Sequence, residues 1–312
     1  MKILMLSAHF DLPQDSCPVG GVQRHISGIT NELRKLGNVV DWNYPSRIKP
    51  DEIDAKYDVV ICHDFFVYQD NVKNIPRIIV FHGWEGKYPL NPTVVKRRQE
   101  ISQNAEGVIN IGHSITEMYG SKDGRILYGG IDIPENFKEP KYNSKNNKYL
   151  IVTRIKPDAT ILPGIKLAKM LDIPCAICGD GDQDIKNDIK KEMPNVEFKG
   201  FVDDPSEFFD NVKYIQIGGY LAMMEAFLHK KIVVGFYNTI GRKYRLTCVS
   251  DEFKIFVGED EHEVLEEIEK YTEAELEEIV EKNYRWVTKN TYKDIAKIYI
   301  EEIENAKRRK CL

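Results

Sequence analysis

The residue with the most evident chemical potential is Glu225, a single carboxylate inside the apolar run MMEAFL. It lies in the stretch 214–235, whose pattern predicts strand, glycine turn, short helix, lysine pair and strand. In a parallel α/β sheet, such a turn and the start of the next helix lie at the carboxyl edge, where ligands bind. Free backbone N–H groups and the helix dipole favour phosphate there. Gly218 and Gly219 are therefore predicted to face a phosphate-bearing ligand.

A second glycine pair, Gly20-Gly21, follows the first predicted strand, KILMLS, and precedes a helix. The helix is predicted from apolar residues at spacings of four and three, and Gly37 ends it. Glycines at this place let a ligand approach the backbone and leave amides available at a helix start. A plain tight turn is the alternative.

Two short motifs have the form of metal or redox sites. Asp180-Gly-Asp182 has the spacing that transferases use to hold divalent cations through carboxylate oxygens. It follows a predicted strand and contains glycine, so a turn at the strand end is the favoured interpretation. Cys175 and Cys178 have redox-motif spacing, but they lie in a predicted buried strand, where residues three apart point to opposite faces. Core cysteines are therefore predicted.

Composition and charge limit the classes of function. The 312-residue chain is 42% hydrophobic and 30% charged, which is typical of an ordered protein of about two domains. A net charge of −5 argues against nucleic-acid binding, which requires a basic surface. No apolar run is long enough for a signal peptide or a membrane span, so a cytoplasmic location is expected. The loop after the first strand lacks the glycine pattern of dinucleotide-binding enzymes.

The order of the elements predicts an α/β fold with two doubly wound Rossmann-like domains facing a central cleft. Short apolar strands alternate with helices in both halves, which favours parallel strands and right-handed crossovers. The segment 138–148 has no large aliphatic residue and is predicted to be a linker. We expect an N-terminal domain over 1–140, which the C-terminal helix 291–312 rejoins, and a second domain over 141–290. Strands are predicted at 2–7, 58–63, 78–82, 107–111, 125–128, 149–153, 173–178, 196–199, 214–217, 231–235 and 254–257.

Taken in chain order, several segments of the sequence resemble those of the retaining GT-B glycosyltransferases of family four, also called group 1. The likeness runs over nearly the whole chain and rests on several segments in register. The segments are CPVGGVQRHISGITNELRKLG, FHGW, ILYGGIDIPENF, VTRIKP, AICGDGD, VEFKGFVDDPSEFFDNVKY, MMEAFLHKKIVV and RWVTKNTYKDIAKIYIEEI.

The resemblance implies an N-terminal acceptor domain, a C-terminal donor domain and a UDP- or GDP-sugar as donor, with no required cofactor. Arg154 would bind the diphosphate through charge-assisted hydrogen bonds, and Glu225 would accept hydrogen bonds from two ribose hydroxyls. His82 would lie beside the sugar or the reacting phosphate as the catalytic residue. The other implied donor-binding residues are Gly20, Gly21, Lys156, Gly179, Gly218 and Gly219. Alternatives are a surface ion pair for Arg154, a backbone-bonded strand-end histidine for His82 and a solvated Glu225.

Two positions depart from the family pattern. The family has a second glutamate eight residues before the one that corresponds to Glu225, and here that position is Ile217. That first carboxylate normally meets the transferred sugar. The family also has a lysine about five residues after the arginine, and here that position is Ala159. Lys156 and Lys166 are the substitutes nearest in sequence.

Two functions therefore remain open. The first is an active transferase with an altered sugar pocket, because transfer from a diphosphate relies mainly on electrostatic stabilisation of the leaving group. The second is an inactive nucleotide-binding or partner subunit that keeps the GT-B fold.

The expected acceptor is a sugar, a lipid-linked molecule or a protein, and the sequence has no signature that distinguishes them. Loops at 11–19, 43–56 and 83–96 are expected to contact it, with Trp84 as the predicted acceptor residue. The basic end KRRK at 307–310 could contact an anionic membrane weakly or be a solvated tail.

Overall fold

The computed structural model describes residues 1–8, 21–82, 91–119 and 124–311, which form two compact α/β units. The first unit comprises Met1–Asp132 and Asn290–Leu312, and the second comprises Ile133–Lys289. Each unit contains one six-stranded sheet in which all strand pairs are parallel. The predicted α/β class with two Rossmann-like units is confirmed. The roles of the units as acceptor and donor domains stay predictions.

The first sheet has the strand order β2-β1-β3-β4-β5-β6. Its apolar strands are buried on both faces, as expected of parallel strands covered by helices. The strands are β1 (Lys2–Ser7), β2 (Val39–Asn43), β3 (Val59–His63), β4 (Arg77–Phe81), β5 (Gly107–Ile111) and β6 (Arg125–Leu127). The helices are α1 (Gly21–Lys35), α2 (Pro50–Lys56), α3 (Pro92–Asn104), α4 (His113–Tyr119) and the C-terminal α11 (Tyr292–Lys310).

The second sheet has the order β12-β11-β10-β7-β8-β9 and encloses a large apolar core with its helices. Its strands are β7 (Lys148–Val152), β8 (Cys175–Cys178), β9 (Glu197–Gly200), β10 (Val212–Ile217), β11 (Ile232–Phe236) and β12 (Phe256–Gly258). Its helices are α5 (Ile161–Met170), α6 (Gln183–Glu192), α7 (Tyr220–Leu228), α8 (Ile240–Thr247), α9 (Glu261–Glu269) and α10 (Glu273–Val287).

Local capping explains where several helices begin. The Asp182 carboxylate accepts hydrogen bonds from the N–H groups of Asp184 and Ile185 and so starts α6. Thr272 and Glu275 form a complete capping box at α10. The side chain of Thr291 accepts from the Asp294 N–H group at the start of α11.

Some expectations about loops and ends were wrong. The segment 43–56, expected to be a loop, contains the 3-10 turn Pro45–Arg47 and helix α2, because proline opens each of them. Helix α3 occupies the end of the loop expected at 83–96, while residues 83–90 and 11–19 lie outside the described residues. The chain end is helical through Lys310, whose ammonium pairs with Glu106 at 2.9 Å. It is therefore not a solvated tail.

Among the described residues, no helix combines the length and the apolar character needed to cross a membrane. Cys175 and Cys178 are buried on β8, as predicted. Burial raises the pKa of the Cys175 thiol to about 12 and that of Cys178 to about 11, so neither is a thiolate at neutral pH.

Candidate functional site

The strand order of the second sheet identifies the place where a ligand is expected. The chain moves from β7 through β8 to β9 on one side and from β10 through β11 to β12 on the other. The direction therefore reverses between β7 and β10, and open α/β sheets bind ligands in the crevice at the carboxyl ends of such strands. The segments that leave these two strands carry Arg154 and the Gly218-Gly219 pair.

Arg154 is exposed and is held in place by a short extension of the sheet. On either side of it, the N–H groups of Thr153 and Ile155 donate to the carbonyl oxygens of Cys178 at 3.1 Å and Asp180 at 3.0 Å. Ile155 is also buried. Alternate residues of an extended segment point to opposite faces, so an inward Ile155 leaves the Arg154 side chain outside. A fixed backbone with an exposed guanidinium suits the binding of an anion.

Two of the predicted glycines pack against the same residue, Thr153. A Cβ on Gly179 would overlap the Thr153 carbonyl oxygen, and a Cβ on Gly218 would lie 2.6 Å from Thr153 Oγ1. Glycine is therefore required at both positions by the close approach of three chain segments. Gly219 differs, since within the described part of the chain no atom beyond its sequence neighbours lies within 4 Å of a Cβ placed there. The space beside Gly219, at the start of α7, is open.

A buried amide fixes the far end of the segment that carries Arg154. Gln216, fully buried on β10, donates through Nε2 to the Thr160 carbonyl oxygen at 3.0 Å. Thr160 has a left-handed backbone, with φ 52°, and its hydroxyl donates to the Phe236 carbonyl oxygen at 3.1 Å. The side chain of Gln216 leaves no room for a Cβ on Gly164, which explains the glycine there. The segment 153–160 is thus anchored at both ends.

Glu225 lies in the second turn of α7 and is half-buried. Its neighbours Met223, Met224, Ala226 and Phe227 are buried, which is why the carboxylate occurs in an apolar run. Ile217, where the family pattern has its first glutamate, is the last residue of β10 and is 1% exposed. A buried strand residue at this place cannot present a carboxylate to a ligand.

The lysines near Arg154 have different environments. Lys156 is exposed at the start of the 3-10 turn Pro157–Ala159. Lys166 on α5 lies 3.4 Å from Glu261 and so pairs with an acid of α9. Ala159, where the family pattern has lysine, is fully buried in the core of the unit. Lys156 is therefore the lysine that the loop leaves exposed.

Sequence reasoning missed a cation at the same edge, Arg242. Its Nε donates to the Phe236 carbonyl oxygen at 2.7 Å, and one terminal nitrogen lies 3.5 Å from the carbonyl oxygen of Ile217. The guanidinium therefore spans the carboxyl ends of β11 and β10. Arg242 lies on α8, and this helix is bonded to α7 through the Tyr220 hydroxyl, which donates to the Arg245 carbonyl oxygen at 2.9 Å. Nothing in the sequence distinguished Arg242 from other helix cations.

The carboxylates of Asp180 and Asp182 serve structural roles. Asp180 pairs with Lys186 and accepts from the Gly181 N–H group at 2.8 Å, and Asp182 caps α6. The side-chain bond from Lys186 holds the pKa of Asp180 below its usual value. The predicted strand-end turn is the role seen here. Within the described residues, no group of three or more His, Cys, Asp or Glu side chains is arranged to hold a metal ion.

In the first unit, His82 directly follows β4 and lies beside a second histidine. His63 is the last residue of β3 and is fully buried. Its Nδ1 lies 2.9 Å from His82 Nε2, and the two rings stack with centroids 5.2 Å apart. The backbone N–H of His82 donates to the Asp64 carboxylate at 3.1 Å. His82 is therefore held through both its ring and its backbone.

A third histidine, His25 on α1, completes this cluster. Its ring centroid lies 5.4 Å from that of His82, and its Nε2 lies 2.8 Å from the Tyr299 hydroxyl. Burial and then repulsion from His82 lower the pKa of His25 well below its usual value, so its ring is neutral. His25 was not among the apolar positions from which α1 was predicted, and periodicity alone cannot separate a core histidine from a site histidine.

The structure thus brings together Arg154, Gly179, Gly218 and Gly219 at one sheet edge, with Glu225 on the helix that starts there. His82 and Gly21, the first residue of α1, belong to the other unit. Gly20 and Trp84 lie outside the described residues. The roles of all these residues stay predictions.

No protein-family model and no curated protein sequence matches the chain. Solved structures with the same fold do match over nearly the whole length. They include a glycosyltransferase involved in avilamycin A biosynthesis, AviGT4, at 16% identity and a TM-score of 0.65, with 97% of each chain covered.

Anabaena HepE in complex with UDP and glucose is similar at 15% identity and a TM-score of 0.68, covering 97% of this chain and 99% of that one. Sucrose-phosphate synthase from Thermosynechococcus elongatus is similar at 14% identity and a TM-score of 0.71, covering 96% and 97%. At these identities the likeness establishes the fold. The chain therefore has the GT-B fold of glycosyltransferases.

Proposed function

We propose that the chain transfers a sugar of the hexose class from a nucleotide diphosphate sugar to an acceptor, with retention of configuration. The observation that carries this proposal is the edge of the second sheet at β7 and β10. There, an exposed Arg154 on an anchored backbone lies beside glycines and an open helix start. A diphosphate needs this combination of a fixed cation and accessible N–H groups.

The GT-B fold supports the choice of a nucleotide-sugar donor, and one protein of the same fold was solved with UDP-glucose. In this proposal the second unit is the donor domain and the first is the acceptor domain. Arg154 and Lys156 bind the diphosphate, with N–H groups from Gly219 and the pair Gly20-Gly21. The N–H groups of Gly218 and Gly179 already donate to the carbonyl oxygens of Val152 at 3.1 Å and Gly200 at 2.7 Å, so these two glycines are proposed to give the ligand room without donating to it. Because Arg154 and Lys156 supply the positive charge, the proposed reaction requires no metal ion.

Glu225 is proposed to accept hydrogen bonds from the two ribose hydroxyls, which a carboxylate with two oxygens does well. His82 is proposed as the catalytic residue that contacts the sugar or the departing phosphate. Trp84 is proposed as an acceptor contact. Most of the rate acceleration would come from stabilising the charge that develops on the leaving diphosphate.

A specific observation favours one alternative function, a nucleotide-binding partner subunit without transfer activity. Ile217 is buried at the position where the family pattern has the acid that meets the sugar. If no other group replaces that acid, the nucleotide would bind but no glycosidic bond would form.

The experiment that separates the two functions measures nucleotide diphosphate release from UDP- and GDP-sugars with a panel of sugar, lipid-linked and protein acceptors. An active transferase releases UDP or GDP only with a matching acceptor, and Arg154→Ala or Glu225→Ala abolishes release. The anomeric proton coupling of the product then reports retention or inversion. Saturable binding of UDP or GDP without product, across all donors and acceptors, would support the partner-subunit alternative.

A further inference from the structure

The backbone of Asp64, immediately after β3, is in a conformation that residues other than glycine rarely adopt. Its φ is 81° and its ψ is 156°, a region that is almost restricted to glycine. Asp64 is also buried, with 5% of its surface exposed. A buried, strained, non-glycine residue persists only where its surroundings hold it, and such residues cluster at functional sites.

The sheet register explains what the Asp64 side chain does. The Asp64 N–H group donates to the Val80 carbonyl oxygen at 2.8 Å, as a parallel ladder requires. In a continued ladder, the Asp64 carbonyl oxygen would accept the next hydrogen bond, from the His82 N–H group. The Asp64 carboxylate accepts that bond instead, at 3.1 Å. The chain can therefore leave the sheet at residue 64 while the backbone of His82 stays in register.

The same register sets the contact between the two rings. His63 pairs with Val80 across the two strands, and His82 lies two residues beyond Val80. Because residues two apart in a strand point to the same face, His63 and His82 share one face of the sheet. The bond between their ring nitrogens, 2.9 Å long, contains one proton when both rings are neutral. Whichever ring carries that proton fixes the tautomer of the other.

We propose that Asp64 and His63 are positioning residues for His82: the Asp64 carboxylate fixes its backbone, and the His63 ring fixes which of its ring nitrogens carries a proton. This inference rests on the proposed role of His82 in sugar transfer. Three further groups face the cluster, namely His25 from α1 and, from α11, Tyr299 and Tyr292, whose ring centroid is 6.4 Å from that of His25.

The role of His63 is tested without any activity measurement, by 15N NMR of the histidine side chains in the full chain. In the wild type, His82 is expected to show one protonated and one unprotonated ring nitrogen. His63→Leu removes the partner, and the His82 nitrogens should shift to the averaged values of two tautomers. In His63→Asn the side-chain amide occupies the place of Nδ1, so the wild-type pattern should return. Unchanged His82 signals in His63→Leu would overturn this role.

The role of Asp64 is tested by Asp64→Gly, which removes the carboxylate and relieves the strain. The melting temperature should be equal to or higher than that of the wild type. The kcat of transfer should fall about tenfold or more, the effect of losing a hydrogen bond to a charged group, while the donor KM changes less than about twofold. The matched control is Asp172→Gly, another non-glycine residue with positive φ, at 52°, which should leave kcat unchanged.

An unchanged kcat in Asp64→Gly would overturn the role of Asp64. If the wild type releases no nucleotide from any donor, the proposed function fails, but the NMR comparison still decides whether His63 controls the tautomer of His82.

Discussion

At the carboxyl edge of the first sheet, His63, Asp64 and His82 are wholly or partly buried and bonded to one another, whereas Arg154 at the carboxyl edge of the second sheet is exposed. His63 and Asp64 are buried beside His82. The backbone N–H group of His82 donates to the Asp64 carboxylate, and the His82 ring lies against the ring of His63. Arg154 is exposed, and the space beside Gly219 is open. Buried, bonded groups hold a fixed geometry, which suits a reaction step. An exposed cation beside open backbone suits the binding of a charged ligand.

The largest expected effect concerns His82, at the carboxyl edge of the first sheet. We expect His82→Ala to lower the kcat of sugar transfer about 100-fold or more, the usual range for a positioned acid–base or contact group. The affinity for UDP or GDP should fall much less than kcat, because most of the proposed nucleotide contacts, Arg154 and Glu225 among them, belong to the second unit.

Steady-state kinetics and calorimetric titration measure the two quantities separately. The control variant is His113→Ala, a histidine of the same unit that follows β5 and bonds to the Tyr128 hydroxyl. A loss of nucleotide affinity as large as the loss of kcat would mean that nucleotide binding and catalysis are not separated between the carboxyl edges of the two sheets.

The next largest effect concerns Arg154, at the carboxyl edge of the second sheet. Arg154→Ala should weaken the binding of UDP or GDP about 10- to 100-fold, because a charge-assisted hydrogen bond contributes about 1.5–3 kcal/mol. Arg154→Lys should recover only part of the affinity, since an ammonium cannot bind in the bidentate manner of a guanidinium.

Calorimetric titration with each nucleotide is the measurement. Lys166→Ala is the control, because Lys166 pairs with Glu261 and should contribute little to binding. Equal weakening by the two variants would indicate a general effect of surface charge.

Gly179 and Gly219 allow backbone that packs against protein to be compared with backbone that is proposed to face the ligand. Gly179→Ala should lower the free energy of unfolding by about 1–3 kcal/mol, because its Cβ would overlap backbone at Thr153. Gly219→Ala should lower stability by less than about 1 kcal/mol, the cost of alanine at the helix N-cap, because its φ of −176° is ordinary and no described atom beyond its sequence neighbours lies near the added methyl group.

Denaturant unfolding gives the stability of both variants, and titration gives their nucleotide affinity. Gly219→Ala is expected to weaken nucleotide binding, because the new methyl group occupies the space proposed for phosphate. Wild-type affinity in a normally stable Gly219→Ala protein would remove Gly219 from the proposed site.

The smallest effect concerns pH. Burial lowers the folded-state pKa of His25 in the first unit and of His229 in the second, and repulsion from His82 and Lys231 respectively adds to it. The unfolded chain then binds protons more readily than the folded one. Stability is therefore full above the unfolded pKa of about 6.5 and is lost as the pH falls below it, by up to about 1.4 kcal/mol per pH unit for each histidine.

Melting temperatures of the wild type between pH 7 and 5 should fall, and His25→Gln should reduce the slope more than His262→Gln, since His262 is exposed. A slope that is the same in both variants would mean that His25 takes up a proton in the folded state.

The sequence predicted the features that repeat or that have a local chemical cause. Buried strands such as KILMLS and the glycine turn after β10 follow from apolar runs and from glycine itself. Strand β2 was not predicted, because it lies at the edge of the sheet and begins with Val39, which is 55% exposed, so its pattern is mixed. The edge that carries Arg154 was predictable because strand ends in parallel sheets meet at one edge.

The histidine cluster could be predicted only in part. Two strands that end in histidine were visible in the sequence, but whether the rings meet depends on the register of β3 against β4. The strained backbone of Asp64 has no local signature, since aspartate does not favour that conformation. Arg242 reaches the strand ends through the placement of α8, which is a property of tertiary packing.

The ends of β7 and β10 are the proposed binding place of the nucleotide diphosphate. Hydrogen–deuterium exchange of the full chain, with and without saturating UDP or GDP, measures whether it binds there. We expect slower exchange in peptides that cover 153–160, 179–182 and 218–228 with at least one of the two nucleotides, and loss of this protection in Arg154→Ala. No protection with either nucleotide, or protection confined to peptides of the first unit, would contradict this proposal.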